Sequence, residues 1–243
     1  MNIVERIRMR IHLARLGHKA LGEYYRPILS SIHLAGARIN VSLDPVLAQL
    51  ELPIPYMQTT PPPVVDRSVR IFPDMYDSDD LTREAIWYVL QTLRPEVVVE
   101  TGVANGLSSQ TILAALESNG HGHLYSFDVD PRTEGSVPAA LKHSWTFRSL
   151  NPKSAMADLC NYVSPLAGAI GVWFHDSDHS YSWQQSEFEL AARVLRPGGV
   201  LISDDADGTE AFADFCLKHP DWSSSALFDT RKVCGFSRKP PTK

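Results

Sequence analysis

Two short acidic runs are the residues of this 243-residue chain best suited to chemistry. His175-Asp176-Ser177-Asp178-His179 follows the apolar run 169–174, and Asp204-Asp205 follows the apolar run 200–203. If both runs end neighbouring strands, Asp176, Asp204 and Asp205 meet in space. Three carboxylates brought together are costly unless a cation joins them. Oxygen-only ligation suits Mg²⁺, Mn²⁺ or Ca²⁺ and not zinc. The expected metal ligands are therefore Asp176, Asp204 and Asp205, with Mg²⁺ or Mn²⁺ as the ion. A divalent ion lowers the pKa of a bound hydroxyl, and two adjacent substrate hydroxyls can chelate it. Asp178 or His179 would then take the proton, His179 having the unperturbed pKa nearer neutrality. The competing readings are helix capping by Asp178 and simple solvated turns. His175 should face away from Asp176, in a packed or supporting role.

A second constellation lies earlier. Glu100-Thr101-Gly102-Val103-Ala104-Asn105-Gly106 follows the apolar triplet Val97-Val98-Val99 and opens a helix. Gly102 and Gly106 permit a tight turn and close approach of a ligand to the backbone. The helix start beyond them presents free N–H groups. Asp128 ends the next strand, where a carboxylate can accept both hydroxyls of a ribose. A dinucleotide site would read G-x-G-x-x-G. This chain has G-x-x-x-G preceded by an acid, which repels a pyrophosphate and suits a cationic amino-acid group. That favours S-adenosylmethionine over NAD.

These residues need a scaffold that brings strand ends together. From residue 78 onward, helical and short apolar segments alternate. Helices are expected over 78–93, 108–117, 183–195 and 209–218, and strands at 97–99, 124–127, 145–150, 169–174 and 200–203. An antiparallel pair, 226–230 with 233–237, closes the sequence. Wholly apolar triplets such as 97–99 are typical of strands buried on both faces of a parallel sheet. The fold class expected is α/β, a Rossmann-like, doubly wound, mostly parallel seven-stranded sheet, with ligands at the carboxyl ends of the strands. Residues 1–75 form an N-terminal extension, a lid or oligomerisation element, and 76–243 the cofactor-binding domain. Within the extension, 3–35 reads as one or two helices. Residues 41–73, with seven of the 17 prolines, read as an extended connector.

Bulk properties narrow the classes. The net charge is −5, which argues against a nucleic-acid binder. Residues 1–40 hold seven Arg/Lys against two acids, so the rest of the chain carries about −10. Such a basic arm suits a solvated helix face or an anionic partner. Cys160, Cys216 and Cys234 are widely spaced and odd in number, as in a reduced, cytoplasmic protein. No apolar run is long enough to span a membrane.

Four stretches, VVVETGVANGLSS, LYSFDVDP, FHDSDHSY and LRPGGVLISDD, occur in an order that resembles class I S-adenosylmethionine-dependent O-methyltransferases. The small-molecule group that includes metal-dependent sugar O-methyltransferases of natural-product pathways is the nearest in pattern. The resemblance covers about residues 80–237. It implies that Glu100, Thr101, Gly102 and Gly106 line the methionine end of the cofactor and that Asp128 holds its ribose. It also implies Mg²⁺ on Asp176, Asp204 and Asp205, and Asp178 as the base. The common Ile-Asp-Gly-Asp is here His-Asp-Ser-Asp, and Tyr181 and Trp183 either wall the acceptor pocket or belong to the core. The partner implied is a small-molecule hydroxyl acceptor, a sugar or vicinal diol, with the protein a homo-oligomer. Two alternatives stay open on the sequence: a nucleotide-dependent oxidoreductase on a similar sheet, and a non-catalytic cofactor-binding scaffold.

Overall fold

The structure is a computed structural model that describes residues 26–53, 62–229 and 232–242. The basic arm and most of the helix expected over 3–35 lie outside these residues. The described chain runs α1 (Arg26–Leu34), β1 (Arg38–Asn40), α2 (Leu43–Gln49), α3 (Asp80–Leu93), β2 (Val97–Thr101) and α4 (Leu107–Asn119). It continues through β3 (His123–Asp128), β4 (Trp145–Ser149), α5 (Ala155–Val163), β5 (Ile170–His175), α6 (Tyr181–Val194) and β6 (Leu195–Ser203). It closes with α7 (Ala211–Lys218), β7 (Ser223–Asp229) and β8 (Lys232–Arg238).

One sheet holds all the strands, in the order β1-β7-β8-β6-β5-β2-β3-β4. Only β8 runs antiparallel to its neighbours, β6 and β7. The expected parallel α/β sheet is present, with one strand more than the seven read from the sequence. The extra strand is β1, three residues paired with Ser225–Leu227 of β7. It lies just before the stretch read as an extended connector, and that stretch also contains α2, Leu43–Gln49. Pro45 is compatible with this helix because it sits in the first turn, where no N–H partner is lost.

The sheet is buried on both faces. Val98, Leu124, Val172, Phe174, Val200 and Ile202 face α2, α3 and α4. Val99, Phe127, Trp173 and Leu201 face α5, α6 and α7. Every residue of β5 is buried, which explains why its sequence is apolar up to His175. Each such large side chain contributes about 1.5–3 kcal/mol when fully buried. The core thus fixes the strand register, and the register places the site. No described helix is long and apolar enough to cross a membrane.

Candidate active site

The ladder pairs Thr101 with Phe127 and with His175, and His175 with Ser203. The next residues therefore stand at one level at the strand ends: Gly102, Asp128, Asp176 and Asp204. Two further backbone bonds extend the ladder past the strand ends. Asp176 N donates to Thr101 O and Asp204 N to His175 O, both at 2.8 Å. The order reverses between β2 and β5, the position where sheets of this type bind ligands.

On the β2 side, Gly102 (φ +82°) and Gly106 (φ +73°) both adopt the left-handed region. A Cβ on Gly102 would lie 2.0 Å from Asp176 O, and one on Gly106 would lie 2.5 Å from Ser136 Oγ. Asp128 Oδ2 accepts from Val103 N at 2.8 Å, and Oδ1 accepts from Asp130 N at 2.9 Å. The carboxylate is tied to the glycine turn while retaining lone pairs for a ligand hydroxyl. The turn, its glycines and Asp128 fit a nucleoside cofactor.

Glu100 and Thr101 stand behind the turn, not on its surface. Glu100 is fully buried, its Oε1 accepting from Ser108 Oγ and its Oε2 from Ser109 Oγ and Ser126 Oγ, at 2.6–2.7 Å. Burial raises its pKa, and the three hydroxyls oppose that rise. Glu100 thus joins the start of α4 to β3. Thr101 Oγ1 donates to Glu187 Oε1 on α6.

On the β5 and β6 side, His179 bridges two acids. Its Nδ1 lies 3.0 Å from Asp205 Oδ2, and its Nε2 lies 3.6 Å from Asp176 Oδ1. Burial alone would lower its pKa, but Asp176 and Asp205 push it up to about 10. Burial raises the Asp176 carboxyl well above its ordinary value, and nearby Asp204 adds to the rise. Asp205 holds its position in a left-handed conformation (φ +47°). Asp178 is exposed, and its Oδ1 accepts from Ser180 N at 2.8 Å. That bond forms the turn entering α6.

Lys232, the first residue of β8, was not singled out in the sequence. Its ammonium pairs with Asp204 Oδ2, and both side chains are buried. The three acids raise its pKa strongly against the opposing effect of burial. The donor set therefore does not fit the expected Mg²⁺ or Mn²⁺ ion as a preformed site. Asp204 carries an ammonium and Asp205 an imidazole. Among the described residues, no three His, Cys, Asp or Glu side chains are grouped to hold a metal.

A buried polar layer supports the rim. Glu187 on α6 accepts from Thr101, from Trp173 Nε1 at 2.9 Å, from Trp183 Nε1 at 2.7 Å and from Ser177 Oγ at 3.0 Å. His175 Nδ1 faces it at 3.0 Å. His175 thus has the supporting role expected of it. Trp183 belongs to this layer, while Tyr181 is half exposed and donates to Asp214. Nothing in the spacing of the sequence marked Glu187, one acid within an ordinary helix pattern.

Asn105 anchors the segment before α3 over the glycine turn. Its Oδ1 accepts from Ile71 N and Phe72 N at 2.8 and 2.9 Å. Its Nδ2 donates to Phe72 O and Asp77 Oδ1.

Residues 99–206, which hold the glycine turn, Asp128 and the acidic rim, match the family model described as a methyltransferase domain. That stretch of the chain is thus similar to a methyltransferase domain. Solved methyltransferases share its fold at low identity. An O-methyltransferase from Bacillus cereus in complex with S-adenosylhomocysteine is 16% identical with a TM-score of 0.56, over 90% of this chain and 94% of that one. The O-methyltransferase TomG from Streptomyces achromogenes, involved in tomaymycin synthesis and in complex with S-adenosylmethionine, is 17% identical with a TM-score of 0.51. That match covers 71% of this chain and 84% of TomG. The Podospora anserina methyltransferase PaMTH1, with S-adenosylhomocysteine bound, is 14% identical with a TM-score of 0.51, over 70% and 82% of the two chains. No curated protein sequence matches this chain significantly.

Proposed function

We propose that the chain transfers the methyl group of S-adenosylmethionine to a hydroxyl of a small molecule, a sugar or another vicinal diol. The observation that carries this reading is the common level at which Gly102, Asp128, Asp176 and Asp204 stand at the ends of four adjacent strands. A cofactor turn and an acidic rim then share one edge. When bound, S-adenosylmethionine supplies an electrophilic methyl group on a sulfonium. Asp128 would accept from the ribose hydroxyls, and Gly102 and Gly106 would let the methionine end approach the backbone.

The acceptor side is acidic. A cleft of about 350 Å³, lined by Arg67, Asp74, Asp77, Ser78, Asp79, Asp80 and Asp229, opens beside the rim. It adjoins the rim because Asp229 pairs across the β7–β8 hairpin with Lys232. Carboxylates accept from hydroxyls, and a cleft of this size holds a small polyol. The acceptor oxygen gains the methyl carbon as the S–C bond breaks, and its proton must leave. Asp176, whose carboxyl is held above its ordinary value by burial, takes that proton beside His179, which is already charged. Asp178 is committed to the Ser180 amide and has a turn-forming role.

The test is calorimetric titration with S-adenosylhomocysteine, followed by labelled methyl transfer to a panel of sugars and vicinal diols. Micromolar binding and label on oxygen are expected. No binding, or label only on nitrogen or sulfur acceptors, would overturn the reading.

A further inference from the structure

We infer that Lys232 is a built-in cation of the active site, standing where a divalent ion would otherwise hold the carboxylates, and that methyl transfer here needs no metal. This rests on the reading of the rim as the methyl-transfer site.

The acids Asp176, Asp204 and Asp205 share the carboxyl edge of the sheet, and three carboxylates in one place need positive charge. Two side chains supply it. His179 lies between Asp176 and Asp205. Lys232 sits on Asp204, 5% exposed against 1% for its partner.

The fold delivers Lys232 to this point by register. β8 runs antiparallel to β6, with Ser203 paired to Gly235. Ala206 N donates to Val233 O, and Val233 N donates to Asp207 Oδ1. The start of β8 is thereby fixed alongside the turn that follows β6. An ammonium buried at such a place persists only when paired, and Asp204 Oδ2 is the partner. Asp204 Oδ1 is buried without a hydrogen-bond partner among the described residues. It is the one atom of this carboxylate left to meet a ligand.

Three carboxylates facing one ammonium and one imidazole retain acidic character, which suits a sulfonium donor and a departing proton. A dication could ligate Asp204 Oδ2 only by displacing the ammonium already seated on it. Lys232 is a positioning residue in this scheme. It holds Asp204 and sets the local charge without touching the transferred methyl group.

The experiment measures Mn²⁺ binding to the purified full chain by electron paramagnetic resonance, with S-adenosylhomocysteine titrated in parallel with and without EDTA. The wild-type protein should leave the free Mn²⁺ signal undiminished, and EDTA should leave S-adenosylhomocysteine affinity unchanged. Lys232→Ala, which frees Asp204 Oδ2 while keeping all three acids, should gain Mn²⁺ affinity by about tenfold or more. A purely structural lysine would give no such gain. Stoichiometric, micromolar Mn²⁺ binding by the wild-type chain, lost in Asp204→Asn, would overturn the inference, even if Lys232→Ala fails to fold. A folded Lys232→Ala that binds Mn²⁺ no better than wild type would overturn it as well. Failure of S-adenosylhomocysteine to bind would instead strike the functional reading beneath it.

Discussion

A side chain on Gly102 would place its Cβ 2.0 Å from the carbonyl oxygen of Asp176. The cofactor turn and the acidic strand end therefore meet backbone to backbone, and only glycine fits between them. Gly102→Ala adds this clash to a left-handed φ of +82°, a conformation that alone costs a non-glycine residue about 1–3 kcal/mol. The turn must move away from β5. We expect S-adenosylhomocysteine affinity to fall by about tenfold or more, equivalent to 1.4 kcal/mol, together with a lower melting temperature. Calorimetry and circular dichroism would measure both, and unchanged affinity would show that the cofactor does not use this turn.

His179 and Asp178 are neighbours with different commitments. His179 lies between two acids of the rim, and Asp178 closes a turn onto Ser180. His179→Ala removes the partner that holds Asp176 and Asp205 and should lower methyl transfer by about 10²–10⁴-fold, the range for disabling a proton-transfer site. Its S-adenosylhomocysteine binding should stay near wild type. Asp178→Ala should cost about 1 kcal/mol of stability, as for loss of a helix-entry cap, and keep most of the activity. The reverse ranking of the two variants would return the base to Asp178.

Much of this arrangement was legible in the sequence because apolar runs ending in acids are unambiguous. The runs at 97–99, 169–174 and 200–203 gave β2, β5 and β6, and with them the positions of Gly102, Asp176 and Asp204. What escaped depends on contacts distant along the chain. Glu100 follows an apolar triplet, as a ligand-facing acid would, but Ser108, Ser109 and Ser126 enclose it from two other elements. Lys232 begins a closing strand, where a lysine normally reads as solvated edge charge, and only the β6–β8 register sets it on Asp204. β1 is three residues long, too short to show the period of a strand. α5, Ala155–Val163, was not marked by strong caps.

Asn105 offers a test of the segment that covers the glycine turn. Its side-chain amide makes four hydrogen bonds, to Ile71, Phe72 twice and Asp77. Asn105→Ala leaves two backbone N–H groups and one carbonyl without this partner, and buried groups of that kind cost about 1–3 kcal/mol each when unsatisfied. The segment can escape part of that cost by lifting off into water. Faster amide exchange at Ile71 and Phe72 is therefore expected, along with weaker S-adenosylhomocysteine binding. Exchange rates equal to wild type would mean that other contacts hold the segment down.

Glu187 links the rim to the core, and its behaviour in acid follows from its surroundings. Burial would raise its pKa, but His175 at 3.0 Å and the hydrogen bonds of Thr101 and Trp173 hold it at about 2, against an ordinary 4.5. A carboxyl depressed on folding stabilises the protein fully above its unfolded pKa and loses that contribution as pH falls through the folded value. The window here runs from about 4.5 down to about 2, and the shift corresponds to on the order of 3 kcal/mol. Glu187→Gln removes the charge and turns an amide N–H₂ toward neighbours that are mostly donors. It should destabilise the protein by about 3 kcal/mol at pH 7, as for a broken buried pair. Its stability should then vary less than that of wild type between pH 4.5 and 2.5. Urea unfolding of both proteins across that range separates Glu187 from the other carboxylates, which titrate in each. Parallel pH profiles would show that Glu187 is not held as a charged partner of His175.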